Sequence, residues 1–159
     1  MLEGEFDAPT RSLFCLKYIE QIGYLCDEVV FTDVWLNCGS VGATLSDHKH
    51  SNSFLSGTYY VDFNPDQHSN ISFVNDRNFL DGVFGPSIKL RINTLKRTDY
   101  NSSRLEFKCI EGQVLIWKSH LMHGFQNPNP KSNRVTLSFN VMPKVCSNVI
   151  TPMFNPCRA

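Results

Sequence analysis

The sequence has no charge of either sign to spare: fifteen Lys and Arg stand against fifteen Asp and Glu in 159 residues. Without a summed positive field it offers nothing that would draw in nucleic acid or an anionic membrane, and a small-molecule partner is expected instead. It also lacks a long apolar run, with no window near the eighteen uninterrupted apolar residues that a membrane-spanning helix requires. The opening residues Met1, Leu2, Glu3, Gly4 and Glu5 are acidic and carry neither the basic start nor the apolar stretch of a secretory signal. Six cysteines, Cys15, Cys26, Cys38, Cys109, Cys146 and Cys157, are scattered without a CxxC pair or a repeated spacing, which argues against a disulfide framework. These absences lead us to expect a soluble protein of the reducing cytoplasm. A hydrophobic fraction of 42% excludes disorder as the state of the whole chain, and the length leaves room for one core but not for two full domains.

Twelve Phe and a combined seventeen Gly and Pro suit short strands joined by turns better than long helices. Leu13, Phe14, Leu16, Ile19 and Ile22 recur at spacings of three and four, which predicts one amphipathic helix over residues 10–24 with Thr10 as its N-cap. From Val29 onward the texture changes to apolar or alternating runs at 29–36, 54–63, 71–74, 88–92, 105–110, 114–117 and 135–142, so six or seven strands are expected. Asn64-Pro65-Asp66, Asp81-Gly82, Gly85-Pro86, Glu111-Gly112 and Asn127-Pro128-Asn129-Pro130 punctuate them as turns. We expect a single domain over 1–159: a helical segment at 1–28, a mainly β sandwich or barrel at 29–142 and a tail at 143–159.

The run from Arg134 to Met142 alternates strictly. A period of two sends Arg134, Thr136, Ser138 and Asn140 to one face and Val135, Leu137, Phe139 and Val141 to the other. A wholly polar face headed by Arg is either wetted by solvent or turned towards a charged ligand. Four of the five histidines form two tight groups, His48 with His50 and His120 with His123. On an extended segment His48 and His50 share a side, close enough to hold one metal ion, with Lys49 pointing away. A third nitrogen would come from His123 or His120. Exposed loop histidines are the plain alternative for both groups, and His68, in a turn, is expected to be solvated. No Cys lies at ligand spacing from these histidines, which disfavours structural zinc.

The stretches His48-Lys-His-Ser-Asn-Ser-Phe-Leu-Ser-Gly-Thr-Tyr-Tyr-Val61, Gly112-Gln-Val-Leu-Ile-Trp-Lys-Ser-His-Leu-Met-His-Gly124 and Arg134-Val-Thr-Leu-Ser-Phe-Asn140, with Trp35-Leu36-Asn37 ahead of them, resemble the 2-oxoglutarate- and Fe(II)-dependent oxygenase superfamily. They are most similar to a subfamily with an HxH…H metal motif, and the resemblance spans roughly residues 33–142. It implies a double-stranded β-helix, the jelly-roll barrel, preceded by the helix. It also implies Fe(II) held by His48, His50 and His123, and 2-oxoglutarate bound at its far carboxylate by Arg134, Thr136 and the Tyr60 hydroxyl. Dioxygen would be the further co-substrate. Trp35, Asn37 and Asn52 would line the substrate opening, although Trp35 also reads as an ordinary core aromatic.

Bottom-up chemistry agrees at Arg134, whose planar fork suits a carboxylate and which shares its face with Thr136. One departure stands out. Most of the superfamily uses His, Asp and His, and the position of that carboxylate is taken here by His50. Asp47 could replace it only if neighbouring strand residues faced the same way, and counting His50 as the first ligand would put Asn52 in the carboxylate position. The resemblance therefore implies a hydroxylase-type oxygenase of unknown substrate. The alternatives are a cupin-like three-histidine dioxygenase that uses no keto acid and a non-catalytic jelly-roll binding module. Self-association is left open.

Overall fold

The structure is a computed structural model that describes residues 8–75, 93–96, 98–99 and 101–145. The expected strand at 88–92, the acidic first residues, most of the loop 76–103 and the chain beyond Val145 with Cys146 and Cys157 lie outside the described residues.

Helix α1 covers Ala8–Gln21. It starts two residues earlier than the sequence predicts, so Thr10 lies inside the first turn and is not the N-cap. Pro9 is tolerated there because the first-turn N–H groups have no intrahelical partner in any case. The helix stops at Gly23, which adopts a left-handed φ of 86°. The Tyr24 N–H then bonds the Ile19 carbonyl at 3.0 Å and the Gly23 N–H that of Glu20 at 2.9 Å. This is the Schellman arrangement that glycine makes inexpensive. The buried stripe is centred on Cys15 and Ile19, while Leu13 is half exposed.

Eight strands follow among the described residues: β1 Glu28–Gly39, β2 Leu45–His48, β3 Leu55–Asp62, β4 Ile71–Val74, β5 Arg104–Phe107, β6 Val114–Lys118, β7 His123–Phe125 and β8 Arg134–Val145. They form two antiparallel four-stranded sheets of order β1-β8-β3-β6 and β2-β7-β4-β5. The chain changes sheet at every step except the β4 to β5 connection, so β1–β4 and β5–β8 are two halves wound into each other. That topology is the expected jelly roll, a double-stranded β-helix with one N-terminal helix. Strand β8 extends to Val145, three residues into the expected tail.

The alternation of β8 is realised. Phe139 and Val141 face outward and are buried under α1 with Cys15, Ile19, Val29 and Leu55, forming one core. Arg134, Thr136, Ser138 and Asn140 face inward and are all buried. A second core of Tyr60, Phe63, Ile71, Phe73, Cys109 and Trp117 lies between the sheets. A register shift between Phe31 and Asp33 in β1 skips Thr32 and brings Asp33 opposite Asn140, after which Trp35 and Asn37 pair with Ser138 and Thr136. That bulge puts Asp33, Trp35 and Asn37 on the inner face with the polar row of β8.

Candidate metal centre and anion pocket

A cavity of about 230 Å³ opens between the sheets. Its walls come from β1, β3, β6 and β8 on one side and from β2, β4 and β7 on the other, so the functional side chains are set by strand register and not by a flexible loop. His50 is the exception.

His48 ends β2 and lies opposite His123 of β7. His50 falls two residues beyond the strand end, and its backbone N–H is tied to the Ser119 carbonyl at 2.9 Å. The ring centroids are 4.4 Å apart for His48 and His123, 5.1 Å for His48 and His50, and 5.4 Å for His50 and His123. One nitrogen from each ring lies within 4.8 Å of the others. Two of the rings are oriented from behind. His48 Nδ1 is 2.9 Å from the Ser46 carbonyl and His123 Nδ1 is 2.8 Å from that of Leu121. A carbonyl only accepts, so both Nδ1 atoms carry the proton and both Nε2 lone pairs are left for a metal. Burial pushes the His123 pKa down to about 4, and burial with the neighbouring His48 lowers that of His50. Neutral imidazole, the form that binds metal, is thereby favoured at both.

Arg134 forms the other half of the site. It is 5% exposed, its Nε donates to the Ser69 carbonyl at 3.1 Å and one terminal nitrogen approaches Thr136 Oγ1 at 3.5 Å. The guanidinium carbon lies 4.6 Å from the Phe125 ring centre and 5.4 Å from that of Phe63. No carboxylate pairs with it among the described residues. A desolvated cation facing two aromatic rings costs several kcal/mol unless an anion completes it. Tyr60 Oη is buried in the same cavity with the Cys109 thiol facing it and no hydrogen bond of ordinary length among the described residues, and burial, then Cys109, hold its pKa well above the usual phenol value. It therefore remains a neutral donor. An unpaired buried guanidinium and an orphaned hydroxyl are what a carboxylate would satisfy, and three imidazoles are a donor set for a divalent transition metal. The residues fit both groups.

The expected site residues Trp35, Asn37, His48, His50, Tyr60, His123, Arg134 and Thr136 all line the cavity. Asn52 does not. It is exposed on the turn after His50, where the strand has ended and alternation no longer fixes a direction. His120 is likewise exposed, which leaves His123 as the third nitrogen. Asp47 turns away as the alternation requires and holds Arg104 through two hydrogen bonds of 2.6 and 2.8 Å. His68, expected in solvent, is 6% exposed and bridges the Asn64 N–H and the Ser132 carbonyl.

Sequence reasoning missed Phe125, Phe63 and Thr58, whereas the alternation of β8 already places Ser138 on its polar face. Phe125 was within reach, since it follows His123 by two and so shares its face. Thr58 and Ser138 belong to the polar inner row, where Asn37 donates to Ser138 Oγ at 2.9 Å and Thr58 meets the same oxygen at 3.1 Å.

A jelly roll with three clustered imidazoles and, among the described residues, an arginine unpaired by any carboxylate in the same cavity is the arrangement of a protein that could hold one metal ion beside an anionic small molecule. A family profile described as "Putative 2OG-Fe(II) oxygenase" matches residues 33–140, and the chain belongs to that family, whose cofactors are Fe(II) and 2-oxoglutarate. Among solved structures the chain is similar to AviO1 from Streptomyces viridochromogenes Tue57, at 15% identity and a TM-score of 0.57 over 91% of this chain and 60% of that one. It is also similar to EvdMO1, at 17% identity and 0.50 over 73% and 28%, and to apo HygX from Streptomyces hygroscopicus, at 13% and 0.51 over 86% and 70%. The chain thus spans about three fifths of AviO1 and under a third of EvdMO1, and these likenesses concern the fold. No curated protein matches the sequence.

Proposed function

We propose that this protein is a 2-oxoglutarate-dependent dioxygenase of the hydroxylase type, with Fe(II) held by His48, His50 and His123 and the keto acid anchored by Arg134, Tyr60 and Thr136. The observation that carries the reading is Arg134, a buried cation with no carboxylate beside it among the described residues, in one cavity with three imidazoles. HygX, which shares the fold, has been solved with iron bound.

When bound, iron with 2-oxoglutarate and dioxygen supplies the oxidising power, the keto acid leaving as succinate and carbon dioxide. The chain's own residues bind and orient. The Ser46 and Leu121 carbonyls keep His48 and His123 in the tautomer that offers Nε2. Arg134 supplies charge and a directed donor, and Tyr60 adds a neutral one. Phe125 and Phe63 keep water off the guanidinium, which strengthens its hold on a carboxylate. Trp35 and Asn37, on β1 at the cavity wall, line the approach of the substrate to be oxidised. Buried Cys15 and Cys109 thiols fit the cytoplasmic setting that we add to this proposal.

His50 in place of a carboxylate keeps a second reading in view, a three-histidine dioxygenase that needs no keto acid. One experiment separates the two. Anaerobic titration of the Fe(II)-loaded protein with 2-oxoglutarate should give a saturable visible charge-transfer band, and Arg134→Ala should weaken keto-acid binding by about thirtyfold or more. Iron binding with no band, and no effect of Arg134→Ala, would favour the second reading.

A further inference from the structure

One buried donor in the cavity has no role in that scheme. Trp117 lies on β6 opposite Ser56 of β3, is 5% exposed and lines the cavity that holds the imidazoles. Its indole meets the His123 ring at 4.8 Å between centroids and 65°, and the Phe73 ring at 5.4 Å and 76°. Among the described residues its Nε1 has no hydrogen-bond partner. An indole N–H can only donate, and leaving it unpaired costs about 1–3 kcal/mol, so a fold that keeps one usually has an acceptor coming from elsewhere.

Tyr60 Oη is the other orphan, and strand register separates the two. Tyr60 pairs with Thr136, two residues from Arg134 along β8, whereas Trp117 is level with Ser56, which pairs with Asn140 at the other end of that polar row. Tyr60 therefore accompanies Arg134, and Trp117 accompanies His123. A dicarboxylate has an acceptor group at each end, and register sets Tyr60 and Trp117 towards opposite ends of the polar row of β8, although the Trp117 indole also borders a second cavity beside Phe73.

Resting on the 2-oxoglutarate reading, we propose that Trp117 is a further binding residue for the keto acid, its Nε1–H donating to an oxygen of the carboxylate and keto group at the imidazole end while Arg134 and Tyr60 take the other carboxylate. The anchoring is then divided: charge at the far end, and a neutral donor beside the metal ligands. A neutral donor at the imidazole end adds no positive charge to a site that already lacks a carboxylate ligand.

The test uses the full chain, loaded with Zn(II) as a diamagnetic stand-in. Trp35 and Trp117 are the only tryptophans, so an ¹⁵N-labelled sample gives two indole N–H signals, and Trp117→Phe identifies one by its loss. Adding 2-oxoglutarate should move the Trp117 indole proton downfield and slow its exchange with solvent. Calorimetry should show keto-acid binding weakened about tenfold in Trp117→Phe, with Zn(II) affinity unchanged. If the native protein binds 2-oxoglutarate but the Trp117 signal does not respond and Trp117→Phe binds it equally well, this inference fails and the proposed function stands. A Trp117 signal that answers to Zn(II) and not to the keto acid also overturns it. If the native protein binds no 2-oxoglutarate at all, the proposed function fails first. Should Trp117→Phe misfold, Trp35→Phe assigns the two indole signals instead, and the response of the native Trp117 signal decides the matter alone.

Discussion

His120 and His123 show how three positions along the chain separate a proposed ligand from a surface residue. Both follow the same apolar run, yet His120 is exposed on the turn and His123 is 3% exposed on β7 beside His48. His123→Ala should abolish stoichiometric metal uptake, measured by elemental analysis after loading. His120→Ala should leave metal content intact and stability within about 0.5 kcal/mol. Asp33 is subtler. It accepts from Asn140 Nδ2 at 3.3 Å, and its charge opposes the fall in the His50 pKa. With no carboxylate among the three proposed ligands, this outlying one would partly offset the charge of a bound ion. Asp33→Asn should weaken Fe(II) binding roughly threefold to tenfold, an effect of about 1 kcal/mol for a partly solvated charge. A competition titration against a chelator dye checks it, and unchanged affinity would remove Asp33 from the site. At this scale much was legible, because His48, Tyr60, Arg134 and Thr136 sit on strands where a period of two fixes their side. Asn52 was misplaced because it lies past the end of one.

Among the elements, the strands that carry the proposed metal ligands His48 and His123 were the hardest to read. β2 is Leu-Ser-Asp-His and β7 is His-Gly-Phe, too short and too polar to stand out as strands, whereas β3 and β8 are longer, β8 alternates strictly, and both emerged from the sequence alone. Tertiary pairing makes β2 and β7 strands, and glycine permits the pairing. A Cβ on Gly124 would come within 2.5 Å of the Leu45 carbonyl oxygen and 2.9 Å of Asp47 Oδ1. Backbone has nowhere to go, so Gly124→Ala should push β2 off β7 and carry His48 away from His123. Metal affinity should then fall at least tenfold although no ligand has changed. Gly57 makes the corresponding contact on the outer side of β3, where a Cβ would meet the Phe139 ring at 2.2 Å. Gly57→Ala should cost about 1–3 kcal/mol as overpacking, seen as a melting temperature lower by roughly 3–10 °C in a chain of this size. Helix α1 was placed correctly by its spacing, but its buried centre, Cys15, was not in the expected stripe, since a thiol gives a weak apolar signal until it is packed.

For the molecule as a whole, the site is a liability to the empty fold. His123 stays neutral in the folded protein down to about pH 4, while the same imidazole in the unfolded chain takes a proton near pH 6.5. Between those two values the unfolded state binds more protons than the folded one, so the stability of the metal-free protein falls as the pH is lowered from about 6.5 towards 4. The His50 pKa is displaced in the same direction and adds to the slope. Asp47 acts in a different window. Arg104 holds its carboxyl below the ordinary 3.8, so its contribution is present above that value and is lost only under more acid conditions. Metal reverses the liability, because an ion bound to the native state alone adds about 2.7 kcal/mol at a hundredfold excess over its Kd, or roughly 5–10 °C in melting temperature. Protons compete with the ion for these imidazoles, so that gain should be larger at pH 7.5 than at pH 5.5. Melting curves of the metal-free protein across pH 7.5 to 4.5, repeated with His123→Gln, test the argument. The native protein should lose stability steadily below about pH 6.5, and the variant should show a flatter slope. A native slope already flat across that range would mean that His123 takes its proton inside the folded protein, in a cavity wetter than its burial describes.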